Sequence, residues 1–248
     1  MSQAKISKIE TGTTSPSPQD VERIARVLGA APAEVQRLRE RAEHSRDQMV
    51  DWRAGQRDPA RWQREIANLE ADARELRVFS PAVITGLLQT SEFARSVLTS
   101  VQEVWHTPSS GIGEAVTARV QRQEILEDRS KRFHFLVTET VLRNLLARAE
   151  DMPAQLSRLL DASRQDNVTI SLIPEEVQLA YPPYHGFSLL DDRLVIIDLY
   201  NTVVVTRGRA DLRLYRHVFD ALAAQATQDV EPILNKYRRM YLAMAQDG

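Results

Sequence analysis

The chain has 248 residues, 43% hydrophobic and 27% charged, a composition that belongs to a folded globular protein and excludes a disordered one. Its net charge of -2 offers no whole-protein attraction for nucleic acid, so DNA binding would rest on a local patch; residues 1–46 hold 8 Lys and Arg against 6 Asp and Glu. No cysteine is present, which excludes disulfides, thiolate metal sites and a thiol nucleophile, and neither a signal-like N-terminus nor an apolar run of ~18 residues is found, so the expectation is a cytoplasmic protein without a membrane span.

The run from Ser2 to Gly12 reads as a helix that buries Ile6 and Ile9 on one side and exposes Gln3, Lys5 and Lys8, with Gly12 suited to a left-handed helix end. A loop from Thr13 leads to a second helix, with Ser17 as cap and Pro18 in its first turn, carrying Val21, Ile24, Ala25 and Leu28 as far as Gly29. A third helix begins near Pro32, where Val35, Leu38, Ala42, Ser45 and Met49 repeat at alternating intervals of three and four. Residues 50–60, with Gly55 and Pro59, read as a linker between this N-terminal part, 1–49, and a body spanning 61–248.

From Arg61 the pattern is helical again, with Trp62, Ile66, Leu69, Ala73 and Leu76 on one stripe until Pro81 interrupts. Gly86 to Thr90 is a loop or short turn, and Ser91 caps a helix carrying Phe93, Val97 and Val101. Past a loop at Pro108 to Gly111, a charged helix with Arg119, Arg122 and Gln123 runs to about Asp128. Phe133, Phe135 and Val137 then alternate as in a strand. A helix through Leu142 and Leu146 follows, and another opens at Pro153 with Leu156, Leu159 and Leu160. The stretches 168–173, 186–190, 194–199 and 203–206 are β-branched or apolar and form one mixed sheet. Two amphipathic helices close the chain, through Leu212, Tyr215, Phe219 and Leu222, and through Ile233, Leu234, Tyr237 and Tyr241. The expected fold class is α+β: an N-terminal helical segment, a helical middle, and a C-terminal mixed sheet flanked by helices.

Catalytic signals are sparse. The histidines at 44, 106, 134, 185 and 217 lack metal-ligand spacing, and the neighbouring carboxylates Asp191-Asp192 and Glu175-Glu176 suit turns better than an acid/base pair. No phosphate loop, nucleophile elbow or kinase signature is found, so no catalytic residue, metal or cofactor is assigned, and the weight falls against an enzyme. In Tyr181-Pro-Pro-Tyr184-His185, rigid prolines hold aromatic and imidazole groups between two strands; Tyr181, Tyr184 and His185 form either a ligand or partner surface or a packed aromatic loop.

Ile6-Ser-Lys-Ile9-Glu10-Thr-Gly12, with Pro16 and Pro18 behind it, resembles the recognition helix and exit loop of the Cro/repressor-like (XRE-type) helix-turn-helix. Glu70 to Pro81, Gly86-Leu-Leu-Gln-Thr90 with Phe93-Ala94, and Arg119-Val-Gln-Arg-Gln123-Glu-Ile-Leu126 are similar to the uncharacterised domain that follows such modules in a large actinobacterial regulator family. That second resemblance spans roughly residues 61 to 228. It implies an antitoxin-like transcriptional regulator, a homodimer on two half-sites, and a small protein partner or small-molecule effector for the C-terminal domain. It also puts Gln3, Ala4, Lys5, Ser7 and Lys8 at the DNA, with Gln3 as the base-contacting residue. Such a module has two further helices ahead of the recognition helix, and the chain starts without them. Either the start lies upstream of Met1, or DNA binding is impaired or lost and the domain serves as an enzyme or small-molecule-binding protein.

Overall fold

The computed structural model describes residues 1–11, 16–44, 48–50, 59–105, 111–200 and 202–246. Gly12, Ser45, Gly55, most of the 50–60 linker, His106 and most of the loop at Pro108 fall outside them.

Helix α1 (Gln3–Glu10) starts at Ser2, whose side chain accepts from the Lys5 N–H. No residue of α1 is buried: Ile6 is 37% exposed and Ile9 half-buried, contrary to the expectation of a buried pair. What ties α1 to α2 (Pro18–Val27) is the Lys5 ammonium, 2.7 Å from the Asp20 carboxylate. The same carboxylate closes a capping box, accepting from the Ser17 N–H while Ser17 Oγ accepts from the Asp20 N–H. Leu28, expected on the packed face, is 79% exposed because the helix ends at Val27 and Leu28 is only its cap. Gly29, the stop anticipated there, follows with φ +79 in the left-handed region. In α3 (Pro32–His44), Val35 and Ala42 are buried, as is Ala25 of α2. Met49 does not extend α3; it lies in strand β1 (Gln48–Val50).

The stripe expected to run through Leu76 is split. Helix α4 (Pro59–Ala71) stops where Lys131 Nζ donates to the carbonyls of Ala71 and Ala73. Glu75–Ser80 is strand β2, which lies inside the sheet; Ala73 and Leu76 continue the helical spacing only by coincidence, since a strand covered on both faces is apolar at most positions. A 3₁₀ turn (Gly86–Leu88) leads to α5 (Ser91–Trp105), capped by Thr90 rather than Ser91: Thr90 Oγ1 accepts from the Phe93 N–H. Next come α6 (Ile112–Arg122), a 3₁₀ turn (Gln123–Glu127) and β3 (Arg132–Thr138). Helix α7 is one turn, Thr140–Arg143, and ends before Leu146 because Asn144 turns extended and its amide donates to the Ala82 carbonyl. The chain continues through α8 (Met152–Ser163), β4 (Val168–Ile173), β5 (Phe187–Leu190), β6 (Leu194–Asp198), β7 (Val203–Thr206), α9 (Arg209–Ala223) and α10 (Glu231–Met244).

The strands form one mixed sheet in the order β1-β7-β6-β5-β2-β3-β4. Strands β2, β3 and β4 are parallel and the other neighbours antiparallel. Alternation sorts side chains into two cores: Phe133, Phe135 and Val137 pack with Ile66, Leu156 and Tyr241 on one face, and Leu136 packs with Leu212, Phe219 and Leu222 of α9 on the other. The α+β class is therefore as expected. One row across the sheet matters below: Val50 faces Val203, and Val203 faces Asp198.

Candidate functional site

On α1, Gln3, Ala4, Ser7 and Lys8 are exposed. Lys5 keeps 46% of its side chain in solvent but is bound to Asp20, which the hydrogen bonds donated by the Lys5 ammonium and by the Ser17 hydroxyl hold far below the usual carboxylate range. Among the described residues the helix thus offers one cation without an ion pair, Lys8, on its last turn, and a second, Lys5, that is bound to α2.

The body carries a cavity of about 1110 Å³ between α4, α5 and α6 on one side and β2, β6 and the 183–187 segment on the other. Its apolar wall includes Trp62, Ile66, Leu98, Val101 and Ile112, and its polar wall Gln63, Glu70, Gln89, Gln102, Arg119, Arg122 and Asp198. The spacing on α6 explains the arginines: positions 119, 122 and 123 share the face that also buries Ile112, Ala115 and Val116. Gln123 donates to the carbonyls of Gly86 and Gln89, and Gln155 donates to Leu88 and accepts from the Thr90 N–H, so the 86–90 segment is pinned to α6 and α8. Both arginines cross directly over Gly86, where a Cβ would stand 2.8 Å from Arg122 Nη2 and 3.5 Å from Arg119 Nε.

Arg119 donates to Gln89 at 2.7 Å and to Gln63 at 3.3 Å, and Arg122 donates to the same Gln63 oxygen at 3.0 Å. These partners are neutral. Burial, with Arg122 beside it, pulls the Arg119 guanidinium down to about 9, which leaves it protonated at neutral pH. Arg122 Nε lies 3.1 Å from Glu70 Oε2, but its N–H does not point at that oxygen, and the contact is electrostatic rather than a hydrogen bond. Burial pushes the Glu70 carboxyl up against the opposing pull of Arg122. Asp198, open to the cavity at the end of β6, is likewise pushed up by burial, and Arg122 and Arg119 draw it back only in part. Among the described residues no hydrogen bond or ion pair reaches Asp198, and Gln102 Oε1, on a residue 4% exposed, has no partner.

Tyr184 and His185 line this cavity, Tyr184 being 86% exposed at its mouth. His185 Nε2 lies 3.0 Å from the Tyr215 hydroxyl, while Tyr181 turns away to meet His217 Nε2 at 3.0 Å. Gly186 lets this segment close onto β2, since a Cβ there would stand 2.9 Å from the Phe79 carbonyl oxygen. The polar wall itself was not assigned from sequence. Its one available signal was the recurrence of Arg119, Arg122 and Gln123 on a helix face that also carries apolar residues.

The helix-turn-helix family profile matches residues 1–38, and a second profile, described as a domain of unknown function (DUF5753), matches residues 63–232, more than half of the chain. No curated protein matches the sequence. A solved structure of TrmBL2, an archaeal chromatin protein with a novel mode of DNA binding, superposes with a TM-score of 0.36 at 12% identity, over 73% of this chain. The chain spans about half of that protein, 53%, and a likeness this distant carries no argument. The two profiles together make the protein a helix-turn-helix regulator that belongs to the DUF5753 family.

Proposed function

We propose that the protein is a ligand-responsive transcriptional regulator in which a small molecule in the body's cavity alters the grip of the N-terminal helices on DNA. The observation that carries this reading is the cavity of about 1110 Å³, whose wall holds the Glu70 and Arg122 side chains, both less than a tenth exposed. Buried charge of this kind costs stability and is characteristic of a binding site. Coupling has a candidate route in the row Val50, Val203, Asp198, because β1 is the first described segment after α3. A ligand acts through such a row only if it favours one of two arrangements of it.

At the DNA, Gln3 would meet a base edge, Lys8 a phosphate, and Ala4 and Ser7 the intervening surface, while Lys5 divides its charge between Asp20 and the backbone phosphates. A homodimer would set two half-sites. The small-protein partner of the antitoxin-like reading finds support in the exposed aromatic mouth, where Tyr184 is 86% and Tyr200 82% exposed.

Fluorescence anisotropy on DNA from the protein's own promoter, over a salt series, tests the first half. Binding that weakens with salt is expected, and Lys8→Ala should lower the log–log salt slope by about 0.9. For the second half, Ala115→Trp fills the cavity from α6, where Ala115 is 0% exposed. A DNA affinity identical to that of the parent in both the presence and absence of cell extract would remove the coupling.

A further inference from the structure

Resting on the effector reading above, we propose that the cavity takes a zwitterionic amphiphile of the kind that free peptides with apolar side chains represent. Its ammonium meets Asp198, its carboxylate meets the outer N–H groups of Arg119 and Arg122, and its body lies on the wall of Trp62, Ile66 and Leu98.

Charge accounting selects this class. Of the four charged groups on the wall, the buried pair Glu70 and Arg122 oppose each other at 3.1 Å, while Arg119 is half-buried and Asp198 opens to solvent at the cavity's rim. The hydrogen-bond partners of Arg119 are the neutral amides of Gln63 and Gln89, and no described residue pairs with the Asp198 carboxylate, so one positive and one negative group feel each other across the same space with no ion-pair contact of their own. A simple anion would answer Arg119 and repel Asp198, and a simple cation the reverse. An apolar molecule would take both from solvent and answer neither. Only a ligand carrying both signs answers both. A second observation is independent of charge: Gln102 Oε1, buried without a partner, is an acceptor on the cavity wall and calls for a donor such as an ammonium or amide N–H. The guanidiniums are fixed in advance, with Gln63 holding both and Gly86 leaving room beneath them, which limits what ordering costs on binding. The volume exceeds the need of a single amino acid and suits a molecule of peptide size.

The test uses the full chain and the neutral fluorophore N-phenyl-1-naphthylamine as cavity reporter, displaced by L-leucyl-L-phenylalanine, its N-acetyl form and its C-terminal amide. Free dipeptide should displace the dye, and blocking either end should weaken displacement by at least about tenfold, as loss of a charge-assisted contact does. Asp198→Asn should abolish the difference made by N-acetylation alone, and Arg119→Gln that made by amidation alone, with circular dichroism checking the fold of each. If the dye binds and blocked forms displace it as well as the free dipeptide, or none displaces it, the zwitterion inference falls while the cavity reading stands. If neither dye nor dipeptides bind, the effector reading falls with it.

Discussion

Helix α1 buries none of its side chains and leaves Gln3, Ser7 and Lys8 in water, whereas in the body Gln63, Glu70, Gln89, Gln102, Gln123 and Gln155 are all less than 10% exposed. Polar groups in the first region are available to an outside partner and can be replaced at little structural cost. Gln63, Gln89, Gln123 and Gln155 in the second are held by Arg119, Arg122 and the 84–90 backbone, so their positions are specified and their removal is felt by the fold. The sharpest break of this contrast is a pair of truncations. Phe135, fully buried and stacked on Phe133 at 6.1 Å, should cost about 3–5 kcal/mol as Phe135→Ala in urea unfolding. Ile6→Ala should stay within about 0.5 kcal/mol. A loss of several kcal/mol at Ile6 would mean that α1 packs on a surface not seen here.

Next in size is Gly186→Ala, expected to cost about 1–3 kcal/mol, because the new methyl would meet the Phe79 carbonyl, a backbone atom that cannot swing aside. The same change should draw His185 away from Tyr215, which a change in the NMR chemical shifts of the His185 and Tyr215 rings would register.

How far these regions were legible in sequence follows the same division. Local signals were accurate: the Ser17 and Pro18 helix start, the Gly29 stop, the strands at 133–137 and 168–173, and both closing helices. Strand β2 was missed because it is covered on both faces, where apolar residues at 76, 78 and 79 match a helical stripe as well as a strand. The cavity's polar wall was hidden for a related reason. Arg119 and Glu70 look like solvated helix residues until α4, α6 and the 86–90 turn are brought together, and that contact is long-range information which periodicity does not carry. The loop at 181–185 was legible as unusual, yet its division, with Tyr184 and His185 at the cavity and Tyr181 on His217, depends on how Gly186 turns the chain.

A smaller effect sharpens the helical side. Ser17 Oγ accepts from the Asp20 N–H at 3.1 Å and donates to its carboxylate at 2.7 Å, so Ser17→Ala removes half of a capping box, a loss of about 1 kcal/mol. Because the contacts involved are local, amide exchange should quicken in α2 and leave the protection of β3 and β4 unchanged. Uniform loss of protection would mean that the two regions unfold as one unit.

The smallest effect, and the one that joins both regions to the proposed ligand, concerns Asp198. Burial raises its carboxyl above the ordinary value of 3.8, so the folded protein binds this proton more tightly than the unfolded chain does. The sign then follows from linkage: below 3.8 the group is protonated in both states and costs nothing, and as pH rises through the folded value the folded state must hold an unpartnered charge and loses stability. Asp198→Asn, which keeps the shape and removes the charge, should therefore melt with the parent in acid and above it at neutral pH, the gap opening upward from about pH 4. A gap of the opposite sign would mean that Arg119 and Arg122 already compensate Asp198 in the free protein. In the expected case the native residue destabilises the free protein, a cost that a donor bound at Asp198 would recover.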